Sequence, residues 1–312
     1  MSELRDANEV RELPLADALK KLERNVYSQN GEDGVIEWVF RKIPPRHRIC
    51  VEFGAWDGRN LSNTFNLVAH HGWKSVYIEA DPRKFEDLKR TAAAYPGITP
   101  VCSRVSASGE SSLDRILERQ NIPDDFDLLS IDIDGNDYDV WEALERHHPT
   151  MVVVEYNVSF PPNYEFIDRG GAAFMGTSPA SFAELAERKG YALLGCIGTN
   201  LLFLHEQCFS VLGVKPQTVE AALGHRPACY VFFNYADELV FSDPAVAQKL
   251  RGVSYAEPMK AWARWLSNMP TFYVLGEPHP SSSTVLKFFR WLAALARGRR
   301  NGSLSESADA GS

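Results

Sequence analysis

The segment Cys50-Val-Glu-Phe-Gly-Ala-Trp-Asp-Gly58 constrains this chain most. An apolar run carries an acid near its end, and two glycines follow, four residues apart. A second apolar run, residues 75–79, again ends in an acid, Glu79. In an α/β sheet, ligands collect outside the carboxyl ends of parallel strands. A glycine-bearing turn there lets the backbone approach a ligand closely. An acid ending the second strand can accept hydrogen bonds from both hydroxyls of a ribose. Together these features read as a site for a nucleoside-containing cofactor, S-adenosylmethionine foremost. Neither Gly-x-Gly-x-x-Gly nor Gly-x-x-x-x-Gly-Lys-Ser/Thr occurs, so the turn does not read as a seat for a pyrophosphate.

The rest of the core repeats the strand–helix rhythm. Strands are predicted over 48–53, 75–79, 99–103, 126–132 and 151–155, with a final pair over 191–195 and 200–204. Helices are predicted over 61–71, 82–94, 112–119, 137–145 and 178–189. Residues 61–71 place Leu61, Phe65 and Val68 on one face. Met151–Glu155 is continuously apolar up to its last residue, the mark of a strand buried on both faces. This alternation predicts an α/β fold with a doubly wound, mostly parallel sheet.

Composition sets the outer limits. The chain has 312 residues, 45% of them hydrophobic, and a formal net charge of -8. That suffices for one large α/β domain with appendages. The acidic balance speaks against broad nucleic-acid binding. Five scattered cysteines without a CxxC read as reduced, mostly buried thiols of a cytosolic protein. The charged start of the chain lacks the apolar core of a signal peptide.

Five regions are expected. Residues 1–26 form a helical segment with a Leu15, Ala18, Leu19 and Leu22 stripe. Residues 27–210 form the α/β domain. Residues 211–280 are a C-terminal, mixed and mostly helical appendage. Residues 281–300 read as an amphipathic basic helix, and 301–312 as a disordered tail. That basic helix has two readings: packing on the protein, or peripheral contact with an anionic membrane surface.

Three polar clusters carry chemistry. In Tyr27-Ser-Gln-Asn-Gly-Glu-Asp-Gly34, Ser28 or Asn30 would cap the next helix, with Glu32 and Asp33 in its first turn. Gln29 is left without a structural task. In Ser130-Ile-Asp-Ile-Asp-Gly-Asn-Asp137, Asp132 and Asp134 share one side of an extended chain. They could hold a divalent cation with Asn136 or Asn157. Alternatively, Asp132 faces the reacting centre while Asp134 and Asp137 cap the following helix. At the end of the fifth strand, Glu155 and Asn157 read either as substrate-facing or as bracing groups.

These residues resemble the FkbM-type methyltransferases. The matching stretches are residues 27–34, 51–58, Leu61-Ser-Asn-Thr64, Tyr77-Ile-Glu-Ala-Asp81, 129–138, Val153-Val-Glu-Tyr-Asn157 and Gly190-Tyr-Ala-Leu193. Their order and spacing agree over about residues 27–205. The resemblance implies a Rossmann-like class I fold, S-adenosylmethionine as cofactor, and O-methylation of a sugar, glycan or other secondary-metabolite hydroxyl. It implies that Gly54 and Gly58 bracket the methionine part of the cofactor, and that Glu52 orients that loop or binds the amino group. Glu79 would take the ribose and Asp132 would sit near the sulfonium, with Gln29, Ala55 and Asn63 alongside. Asp132 or Asp134 would serve as base, and Glu155 and Asn157 would meet the acceptor. The rival reading is a cofactor-binding protein of this fold that transfers nothing and acts as an interaction module. The expected location is cytoplasmic, at most peripheral to the inner face of a membrane.

Overall fold

The computed structural model describes residues 13–133, 135–158, 160–169 and 176–224, with the backbone of 228–233, 239–241 and 271–275. The chain divides into two units, residues 1–225 and 226–312.

The first unit opens with two helices, α1 (Leu15–Leu22) and α2 (Glu32–Lys42). The alternating core follows: β1 (Ile49–Phe53), α3 (Phe65–His71), β2 (Lys74–Glu79), α4 (Pro82–Ala94), β3 (Ile98–Cys102) and α5 (Leu113–Arg119). Then come β4 (Leu128–Ile131), α6 (Asp137–Glu142), β5 (Met151–Glu155), α7 (Pro179–Arg188), β6 (Tyr191–Ile197) and β7 (Asn200–His205). Two short helices, α8 (Cys208–Leu212) and α9 (Val219–Leu223), close the unit. The seven strands lie in the order β3-β2-β1-β4-β5-β7-β6. Within the sheet only β7 runs against its neighbours. This is a Rossmann-like, doubly wound and mostly parallel sheet.

The chain first builds outward from β1 to β3 and then returns to place β4 on the other side of β1. The carboxyl ends of β1 and β4 therefore flank the topological switch point, where a crevice opens in such sheets. Register sets Glu52 beside Ser130 and Phe53 beside Ile131.

Strand alternation builds a core on each face of the sheet. Val51, Phe53, Leu129, Ile131, Val152 and Val154 pack one way, with α5, α6 and α7. Cys50, Tyr77, Leu128, Met151 and Val153 pack the other way, with α2 and α3. At 25–30 cal/mol per Å2, each fully buried side chain of this kind contributes about 1.5–3 kcal/mol. Helix starts follow local chemistry. Asp81 accepts from Arg83 N (2.7 Å) ahead of Pro82. Ser178 accepts from Ser181 N (3.3 Å) ahead of Pro179.

Two expectations need correction. The N-cap position of α2 is held by Gly31, in the left-handed conformation, rather than by Asn30 or Ser28, although Ser28 Oγ still accepts from Asp33 N in the first turn (3.1 Å). α3 begins at Phe65, so Leu61 is exposed instead of sharing a face with Phe65 and Val68. Residues 59–64 are held out of the helix by hydrogen bonds to acids in the loop and in β1. The stretch 211–280 is helical only through α8 and α9 among its described residues. In the second unit, the described backbone is three strands: β8 (Ala228–Phe233), β9 (Leu239–Phe241) and β10 (Thr271–Leu275). They form a sheet in the order β10-β8-β9. The expected helix at 281–300 and tail at 301–312 lie outside the described residues.

Candidate active site

A cleft of about 550 Å3, open mouth included, lies at the carboxyl ends of β1 and β4. Gly54 makes its floor. The Gly54 φ is +78°, and a Cβ there would lie 1.7 Å from the Asp132 carbonyl oxygen. Only glycine lets these two strand ends approach so closely. Gly54 N and Ala55 N both donate to Ile78 O at 3.1 Å, which fixes the turn against β2.

Glu52 sits behind that floor and is buried. Its Oε2 accepts from Ser62 Oγ (2.8 Å) and from Thr64 Oγ1 (2.5 Å). The Tyr77 hydroxyl lies 2.9 Å from Thr64 Oγ1. Burial pushes the Glu52 carboxyl above the usual carboxylate range; the hydroxyls of Thr64 and Ser62 oppose this without cancelling it. A carboxylate held this way is stabilised by a positive charge brought near it.

Glu79 ends β2, as expected, and both its oxygens are engaged. Oε2 accepts from Trp56 N (2.8 Å) and Oε1 from Asp81 N (2.7 Å). Each oxygen keeps further acceptor capacity. Glu79 thus pins the glycine loop to the end of β2 and can still receive a hydroxyl.

The cleft wall combines residues far apart in sequence. Gln29, Glu52, Gly54, Ala55, Asn63 and Asp132 line it, all named above from sequence. Asn63 Nδ2 donates to Ser130 Oγ (3.1 Å), tying the loop after β1 to β4. The polar segment before α2 explains itself here. Asp33 Oδ2 accepts from the backbone N–H of Val26, Tyr27 and Ser28 at 2.7–2.8 Å. Glu32 Oε1 accepts from Asn200 Nδ2 (2.7 Å), and Glu32 Oε2 from Asn30 N (2.8 Å). These bonds fasten the segment to β7 and leave Gln29, whose side chain is exposed, at the cleft.

Two residues named for the cofactor lie outside the lining. One is Glu79, described above. The other is Gly58, at φ +72°, where a Cβ would meet Leu88 and Tyr77 at 2.5 and 3.0 Å. That glycine is required by packing on the core side of the loop. Sequence reasoning missed Trp56, Asn60, Leu61, Thr199 and Asn200, which also line the cleft. Thr199 and Asn200 arrive through the β6–β7 turn, because Asn200 pairs with Glu155 in the antiparallel register. That pairing is non-local, and no signal in the sequence marks it.

Glu155 and Asn157 are partly buried at the end of β5, next to the lining but not in it. Asp137 accepts from Ile133 N (2.8 Å) and Gly135 N (2.9 Å), so it braces the turn after β4. Asp134 lies outside the described residues. Among the described residues, no group of three or more His, Cys, Asp or Glu is arranged to hold a metal ion.

Residues 109–170 match the model of the FkbM methyltransferase domain. The first unit therefore has, in this segment, the sequence pattern of FkbM methyltransferases. No curated protein sequence gives a significant match. Solved structures of similar shape include the N-terminal domain of EvdMO1, crystallised with SAH and D-fucose. It shares 11% identity at TM-score 0.38 and covers 66% of this chain and 98% of that one. A methyltransferase from Clostridium acetobutylicum ATCC 824 shares 11% at TM-score 0.39, covering 63% and 98%. The glycopeptide N-methyltransferase MtfA, complexed with sinefungin, shares 14% at TM-score 0.35, covering 56% and 93%.

Proposed function

We propose that this chain transfers a methyl group from S-adenosylmethionine to a hydroxyl of a sugar, glycan or other secondary-metabolite acceptor. The observation that carries the reading is the charge pattern of the switch-point cleft. Its lining holds two carboxylates, Glu52 and Asp132, and four carboxamides, and among the described residues no lysine, arginine or histidine. Such a wall suits a ligand with cationic centres and disfavours phosphates. The methyl donor has two cationic centres, a sulfonium and an ammonium. The FkbM match over residues 109–170 supports the same reading.

The donor supplies an electrophilic methyl group, and this chain's residues hold and align it. Gly54 and Ala55 bring backbone to its amino-acid end, Glu52 answers its ammonium, and Gln29 and Asn63 flank it. Glu79 accepts ribose hydroxyls on the acceptor capacity left beside Trp56 N and Asp81 N. Alignment of acceptor and methyl group in line is worth up to about 7–11 kcal/mol when the geometry is well held. A hydroxyl acceptor must lose its proton. Asp132 is exposed at the end of β4 and takes that proton in this scheme. Asp134 is the second candidate for the same task. Glu155 and Asn157, beside Asn200, meet the acceptor. A divalent cation near Asp132 would lower the acceptor's pKa, and an assay with and without magnesium tests for it. The acceptor is a small molecule or glycan met in the cytoplasm. Contact with the inner face of a membrane would fall to residues 281–300.

Transfer of labelled methyl from S-adenosylmethionine into a panel of sugars, glycans and hydroxylated metabolites tests the reading. Labelled product that disappears with Asp132→Asn supports it. Binding of the donor without turnover on any acceptor would favour the non-catalytic alternative.

A further inference from the structure

Among the described residues, four non-glycines have positive φ, and two of them line the cleft: Trp56 (φ 49°) and Leu61 (φ 60°). The left-handed region crowds the Cβ of an L-residue, so bulky side chains there are outliers. Such strain collects at ligand clamps when the surroundings over-determine it. The loop meets that condition. Trp56 N is held by Glu79, Arg59 N and Asn60 N by Asp57 Oδ1, and Thr64 N and Phe65 N by Ser62 Oγ. Packing does not account for the two side chains, since Trp56 is 43% exposed and Leu61 53%. Glycine or asparagine would suit both backbones better and would expose less apolar surface.

We propose that Trp56 and Leu61 form an apolar clamp over the purine and ribose carbon face of the bound nucleoside. This rests on the methyl-donor reading above. Trp56 is the arm nearest the ribose, because its own N–H is bonded to Glu79. Lys84 Nζ lies 5.8 Å from the indole centroid, so one side of the ring already carries a cation. The indole is 43% exposed, which leaves area for a neutral, flat partner. The strain persists because the exposed apolar surface is covered only when the ligand is in place.

The test titrates S-adenosylhomocysteine and 5′-methylthioadenosine, which lacks the amino-acid tail, into four proteins: wild type, Trp56→Gly, Trp56→Phe and Leu61→Asn. The expected result is a loss of about tenfold or more in affinity for both ligands in Trp56→Gly and Leu61→Asn, the scale of one lost apolar contact. Trp56→Phe should keep affinity within a few-fold. Unliganded Leu61→Asn should melt roughly 2–4 °C above wild type, because its strain is relieved. Wild-type affinity in both Trp56→Gly and Leu61→Asn would overturn the clamp. So would a loss confined to S-adenosylhomocysteine, or a lower melting point in Leu61→Asn. A wild-type protein that binds neither ligand would instead overturn the donor reading.

Discussion

Near the two ends of β1, the buried acids Asp127 and Glu52 are held in opposite ways. At the amino ends of β1 and β4, Asp127 is fully buried and matched to donors. Its Oδ1 accepts from Arg46 N (2.6 Å), and its Oδ2 from His47 N and Ile49 N (3.1 Å each). Nearby, Asp114 pairs with His147 Nδ1 (2.6 Å) and accepts from the N–H groups of Glu145 and Arg146. Burial alone would raise its carboxyl, but His147 and those backbone donors prevail and hold it below the usual range. At the carboxyl ends, Glu52 is buried too, yet its side-chain donors are neutral hydroxyls, burial prevails, and its carboxyl is raised. The same end carries the two left-handed apolar residues. Arrangements a fold does not need for itself collect where ligands bind. Asp127 is held by donors the fold supplies, whereas Glu52 keeps an unfavourable burial that, on the proposed reading, a cationic ligand would relieve.

That contrast can be broken by mutation, starting with the largest effect. Gly54→Ala forces a Cβ onto the Asp132 carbonyl and should destabilise the fold by roughly 3–5 kcal/mol, the range of severe backbone and packing clashes. Chemical denaturation would show it, and donor binding should vanish with it. Asp127→Ala strands three backbone N–H groups, at about 1–3 kcal/mol for each one that water cannot reach. The protein that remains folded should bind the donor as wild type does. A binding loss in that variant, beyond its unfolded fraction, would blur the division between the two ends.

Glu52→Gln should act in reverse, stabilising the unliganded fold while weakening donor binding. The sign follows from linkage. A carboxyl raised in the folded state holds its proton when the unfolded chain has released it, so stability falls as pH rises from about 4.5 through the folded pKa. The melting-point gain of Glu52→Gln over wild type should therefore widen across that window. Equal pH profiles for the two proteins would contradict it. The smallest effect is at Asp114, which is partly exposed and screened. Its carboxyl is lowered from 3.8, so its contribution is present above that pH and lost as pH falls through the folded value. Asp114→Asn should flatten the acid limb of the melting-point profile.

The contrast also explains what the sequence could reveal. Strands such as Met151–Glu155 and helix starts such as Asp81-Pro82 and Ser178-Pro179 follow from local pattern and were legible. So were the cleft residues on the strand ends, Glu52, Gly54 and Asp132, because a strand end fixes its neighbours. Leu61 misled because its apolar spacing fits α3, while the hold of Glu52 on Ser62 and Thr64 comes from the neighbouring strand and not from local pattern. Gly58 also has a steric need for glycine, with φ +72° and Leu88 and Tyr77 close by, which the sequence did not reveal. Asn200 and Thr199 reach the cleft by antiparallel pairing of β5 with β7, which leaves no mark on either segment. Gln29 stood out in sequence only as a polar residue with nothing to do, and the structure supplies the reason.

The most direct test of the central claim is calorimetric titration of the full chain with S-adenosylmethionine and S-adenosylhomocysteine, with Glu79→Ala in parallel. The account predicts micromolar binding of both by the wild type and its loss in Glu79→Ala, with the variant's melting curve showing that it still folds. No binding by the folded wild type, or unchanged binding in Glu79→Ala, would contradict the assignment of the carboxyl-end cleft to the methyl donor.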